Sequence, residues 1–82
     1  MYIKKELKLF NIEGFNNLPT IDGFKRCPTG DYSNINIFNI SCLFEKGCIF
    51  KESSEFTTQC LFSNNCQFGN NCKFGSHNTF TT

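Results

Sequence analysis

No run of apolar residues in this 82-residue chain approaches membrane-spanning length, and MYIKKELKLF lacks the long apolar stretch of a secretion signal. A cytosolic protein is expected. A surplus of one charge sign is missing too. Residues 1–29 set Lys4, Lys5, Lys8, Lys25 and Arg26 against Glu6, Glu13 and Asp22, and the rest sets Lys46, Lys51 and Lys73 against Asp31, Glu45, Glu52 and Glu55, for a net charge of +1. Neither half is a polybasic arm or an acidic mimic of DNA, which argues against direct contact with nucleic acid. His77 is the sole histidine, so a metal site built of several imidazoles is excluded. In a reducing cytosol the six cysteines are expected as free thiols rather than a disulfide framework.

What the chain has is a period. An aromatic residue recurs every six positions through Tyr32, Phe38, Phe44, Phe50, Phe56, Phe62, Phe68, Phe74 and Phe80. Two places ahead of each sits Gly30, Asn36, Cys42, Cys48, Ser54, Cys60, Cys66, Cys72 or Asn78. A fixed internal period of this kind governs a fold before local propensity does. Each hexad alternates an inward small residue, an outward residue and an inward aromatic, the period-2 pattern of a short strand. The remaining positions are turn-prone: Ser33, Asn39, Gly69 and Gly75 follow the aromatic, and Gly47, Asn65 and Asn71 close their hexads. Gly and Asn suit tight corners that need positive φ. Three hexads make a triangular coil of about 18 residues, with coils stacked about 4.8 Å apart.

CQFGNN and CKFGSH resemble the hexapeptide repeat of left-handed parallel β-helix proteins: a small residue, any residue, an apolar residue, Gly and two more. Phe stands where that family usually has Ile, Val or Leu. Phe-rich, Cys-containing versions resemble bacterial and phage hexapeptide proteins. The resemblance covers residues 30–82 and implies an all-β fold, a short left-handed parallel β-helix of about three coils. It speaks to fold rather than activity. Residues 1–29 then read as an N-terminal cap. EGFNNLPTIDGFKRCPTGD is expected to form loops and turns, and residues 1–12 a short strand or a helical turn. Phe10, Phe15, Leu18, Ile21 and Phe24 are expected to bury over the first coil. The cysteines of the repeat become small core residues beside large rings, and Cys27 a loop residue.

A rival reading takes Cys60, Cys66, Cys72 and His77 as ligands. Their C-x5-C-x5-C-x4-H spacing resembles the CCCH zinc-finger class, which implies single-stranded RNA binding with Phe62, Phe68 and Phe74 as stacking platforms. The final spacing is one residue longer than usual. The six-residue period also continues on both sides, which a finger does not explain. A third reading is an enzyme like the hexapeptide acyltransferases, whose sites lie between subunits and use a His. His77 alone, at an expected corner and with three short coils, makes a poor candidate.

The favoured expectation is a non-enzymatic, cofactor-free protein-binding module. The resemblance and size fit a compact phage or mobile-element accessory, such as an inhibitor of a host nuclease or defence complex in the manner of an anti-CRISPR protein. Among the outward positions, Ile37, Leu43, Ile49 and Leu61 form an aliphatic set that is either covered by the N-terminal segment or open to a partner. The corner pairs Asn64–Asn65 and Asn70–Asn71 are further candidates. The last coil should expose strand edges and the rims of Phe68, Phe74 and Phe80, which invites an end-to-end homodimer.

Overall fold

The computed structural model describes residues 7–81. Met1–Glu6 and Thr82, and with them part of the expected cap, lie outside the described residues.

Alternation within each hexad builds the strands. In β4 (Cys42–Phe44) and β7 (Cys60–Phe62) the small residue and the ring are buried while the leucine between them is half-exposed. The two strands pair in parallel, Cys42 to Cys60, Leu43 to Leu61 and Phe44 to Phe62. The same offset joins β3 (Ile37–Phe38) to β6 (Glu55–Phe56) and β6 to β9 (Lys73–Phe74). It also joins β5 (Ile49–Phe50) to β8 (Gln67–Phe68), and β7 to β10 (Thr79–Phe80). The chain therefore winds as a β-solenoid of about three turns with three sides.

Stacking in register puts like rings on like rings. Phe38 lies 4.8 Å from Phe56 with planes 7° apart, and Phe56 lies 5.2 Å from Phe74 at 5°. Phe44 meets Phe62 at 5.3 Å and 7°, Phe62 meets Phe80 at 4.9 Å and 10°, and Phe50 meets Phe68 at 5.0 Å and 8°. Within a coil the rings meet edge to face, Phe38 to Phe44 at 88° and Phe44 to Phe50 at 85°. Both geometries suit the ring quadrupole and contribute about 0.5–1.5 kcal/mol per pair beyond area burial.

The corners follow two rules. Gly47, Ser53, Asn65, Asn71 and His77 close their hexads at φ between 60° and 77°. Ser53 and His77 thus hold corners that Gly or Asn would favour. Gly69 and Gly75 have a different role from the one expected of them, since neither has positive φ. A Cβ on Gly75 would sit 2.6 Å from the Thr57 carbonyl oxygen, and one on Gly69 would fall within the backbone of Lys51 and Glu52. These glycines permit close approach of coil to coil.

The N-terminal segment is more ordered than loops and turns. A short helix α1 (Ile12–Asn16) is capped by the Asn11 side chain, whose Oδ1 accepts from Gly14 N at 2.7 Å. A hairpin follows, β1 (Thr20–Ile21) and β2 (Phe24–Cys27), turning on Asp22 and Gly23, both at positive φ. β2 then pairs in parallel with β4, Lys25 to Cys42 and Cys27 to Phe44. It is the foundation strand of one side, and Cys27 is a fully buried strand residue rather than a loop residue. This parity turns Lys25 inward and Phe24 outward, the reverse of what side-chain polarity suggests. Lys25 Nζ donates to the carbonyls of Leu18 (2.9 Å) and Asn16 (3.2 Å) and stands 5.2 Å over the Phe15 ring. Ile21 stays exposed and Phe24 half-buried. Phe10 stacks on Tyr32 at 4.7 Å, and Phe15 meets Tyr32 and Phe38 edge-on, closing this end of the ring column. Ile35, the last residue of its hexad, is also buried there.

Two glycine changes separate the corner rules. Gly69→Ala should cost about 1–3 kcal/mol by overpacking one coil on the next. Ser53→Gly, relieving a positive φ, should be neutral or stabilising by up to about 1 kcal/mol. A thermal midpoint that falls for Gly69→Ala and holds or rises for Ser53→Gly is the expected result.

Candidate functional site

The inward small residues form columns along the solenoid. Their side chains are more than filler, because they close the corners. Cys48 Sγ donates to the Glu45 carbonyl at 3.0 Å, Ser54 Oγ to Lys51 at 2.8 Å, Cys72 Sγ to Gly69 at 3.3 Å and Asn78 Nδ2 to Gly75 at 2.9 Å. Each spans three residues across a corner whose preceding residue has positive φ. Cys66, after the Asn65 corner, donates instead to Glu45 on the coil below at 3.6 Å. Cys, Ser and Asn are alike in being small donors, and that shared trait was the available signal for this role.

Cys42, Cys48 and Cys60 are buried thiols held well above the ordinary value of 9.0. Cys48 is pushed up to about 12, chiefly by burial. Cys42 is raised first by its hydrogen bond with Cys27, and Cys60 first by its hydrogen bond with Cys42. Burial raises Tyr32 likewise, and its hydroxyl donates to the Pro28 carbonyl at 2.5 Å. Protonated, enclosed thiols are poor nucleophiles and poor metal ligands.

The fold does not gather the CCCH set. Cys60, Cys66 and Cys72 begin successive hexads on three different sides, and His77 lies exposed at a corner. Among the described residues no group of three or more His, Cys, Asp or Glu side chains is placed to hold a metal ion. Nor does the fold gather the aliphatic set. Leu43 and Leu61 share a row with Arg26 and Thr79. Ile37 shares a second side with Glu55 and Lys73, and Ile49 a third with Asp31 and Gln67. The hairpin and α1 sit at one end of the solenoid and do not roof these rows. Ile37 is exposed; Leu43, Ile49 and Leu61 are half-buried by their own neighbours. Asn64–Asn65 and Asn70–Asn71 lie exposed on consecutive corners. A shallow groove lined by Glu45, Lys46, Ser63, Asn64 and Thr81 runs beside the first of them.

One feature does concentrate at a single place. β8, β9 and β10 are edge strands, one in each sheet, and all belong to the last coil. The rings lose cover stepwise toward that coil: Phe62 in the coil before is 1% exposed, while Phe68 is half-buried, Phe74 39% exposed and Phe80 49%. The opposite end is covered by Phe10 and Phe15, so among the described residues the end with the last coil is a distinct surface of three rings rimmed by strand edges with no further strand beside them. Of the three rings named for dimerisation, all lie on it.

No protein-family model matches this chain, and no curated protein or solved structure matches it either. No helix among the described residues is long and apolar enough to cross a membrane.

The thiols give a pH signature. Their folded pKa values lie above the unfolded 9.0, so their contribution is constant below about pH 9 and lost as pH rises beyond it. The thermal midpoint should fall steadily in that alkaline range, and a Cys48→Ser chain should fall less. At neutral pH, Cys66 and Cys72 should react with a thiol reagent while Cys27, Cys42, Cys48 and Cys60 react only on unfolding. A chelator should leave the midpoint unchanged, and elemental assay should find well under one zinc per chain.

Proposed function

We propose that this chain is a non-enzymatic protein-binding module that docks its partner on the open end of the solenoid. The observation that carries the reading is the combination of β8, β9 and β10 as edges with the exposed rims of Phe74 and Phe80. Edge strands offer a row of backbone donors and acceptors to another chain. Aromatic rims add apolar area at low cost in side-chain entropy, as at many interfaces. Recognition then rests on continuing a β-structure, with the corner residues Asn64, Asn65, Asn70 and Asn71 at its margin.

The hexad spacing supports a left-handed hexapeptide-repeat architecture for the coil. The outward rows support the binding reading less strongly, because among the described residues Leu43 on Leu61 is the only apolar pair in register on them. The dispersal of Cys60, Cys66, Cys72 and His77 weighs against zinc-dependent RNA binding. The isolation of His77 weighs against acyl transfer.

The test is capture from a lysate of the source organism by the wild-type chain and by Phe74→Asp and Phe80→Asp chains of verified fold. Proteins retained by the wild type and lost with either substitution are the expected outcome. Recovery of nucleic acid alone, or of one unchanged set of proteins with all three chains, overturns the reading.

A further inference from the structure

Resting on the docking reading above, we propose that the open end accepts a second copy of this chain, last coil to last coil, across a two-fold axis. What that end lacks is one more layer with rings at the same three positions. The last coil of another copy presents such a layer. A two-fold axis perpendicular to the solenoid brings one of the edges β8, β9 and β10 against its own copy and the other two against each other's copies, all running antiparallel, a pairing that edge strands accept. The rings that meet are Phe68, Phe74 and Phe80, already set at 80° or 81° to one another and so offering both faces and edges.

Charge permits it. Across residues 63–81 the only Asp, Glu, Lys or Arg is Lys73, the last member of an outward row, beside Glu55. Two such ends meet without a block of like charges.

The other end decides how far assembly goes. There Phe10 is stacked on Tyr32, and Phe15 closes over Tyr32 and Phe38. Residues 8–10 bridge to Asp31, and β2 occupies the edge beside β4. Head-to-tail stacking, which would grow a fibre, would have to displace that ring cover, although β3 and β1 are edge strands of their sheets. The two-fold contact needs no such displacement, and it closes at two copies.

Size sets the strength. The molecule measures 27 × 23 Å across its two shorter axes. A contact confined to the end is smaller than the ~800 Å² per partner of a standard interface. A micromolar or weaker dimer in exchange with monomer is therefore expected, and the same end stays available to a partner that binds more tightly.

Sedimentation equilibrium from micromolar to near-millimolar concentration reads this out. The mass should rise from 9.4 kDa to twice that value and stop there. Phe80→Asp should weaken the dimer at least tenfold. Leu9→Asp, at the exposed Leu9 beside the cap, should leave it unchanged. Hydrogen exchange on the unaltered chain provides a check free of folding effects: amides of residues 67–81 should slow with concentration and those of residues 8–27 should not. A monomer throughout overturns the dimer and leaves the capture experiment to judge the docking reading. A dimer that Leu9→Asp abolishes, or masses growing beyond two copies, overturns the end-to-end geometry.

Discussion

Everything in this molecule depends on rings stacking in register eighteen residues apart. Phe38 on Phe56 on Phe74, Phe44 on Phe62 on Phe80, and Phe50 on Phe68 are three columns inside one prism. Each ring also meets its neighbours of the same coil at nearly a right angle. A slip of one residue would send a whole strand of rings to solvent. Register is therefore held by the core itself, and strands of two or three residues suffice. A chain this small has little surface to bury, and aromatic side chains supply more of it per residue than aliphatic ones do.

The corners serve that core. Cys48, Ser54, Cys72 and Asn78, small donors in the first position of their hexads, tie down the corner carbonyls, while Gly69 and Gly75 let coils approach. The two ends of the column are unequal. One is sealed by Phe10, Phe15 and the inward Lys25, and the other shows Phe74 and Phe80. The proposed docking rests on that asymmetry, which sets edge hydrogen-bonding groups and apolar ring area side by side at one end.

Legibility varied with distance from the period. The hexads forecast which residues face inward and which strands pair, because alternation and repetition are properties of sequence order. Residues 7–29 follow no such rule. Phe24 and Lys25 exchange the positions their polarity suggests, because the Asp22–Gly23 turn and the pairing with β4 set their parity. Lys25 tolerates burial only because carbonyls of Asn16 and Leu18 and the Phe15 ring surround its ammonium. The outward Ile37, Leu43, Ile49 and Leu61 fall on three sides with Leu43 in register on Leu61, as a spacing of six in an eighteen-residue coil requires. The candidate end was legible in part, since a column of rings must stop somewhere.

By itself, the order of residues determined the coil: a six-residue period fixes strand, corner and stacking, since each hexad repeats one local solution. That spacing also deals Cys60, Cys66 and Cys72 to successive sides, because only residues eighteen apart stack. Tertiary structure alone decided how residues 7–29, which follow no period, close over the first coil: the Asp22–Gly23 turn and the pairing of β2 with β4 set the parity of Lys25 and Cys27, and Phe10 and Phe15 cover Tyr32 and Phe38.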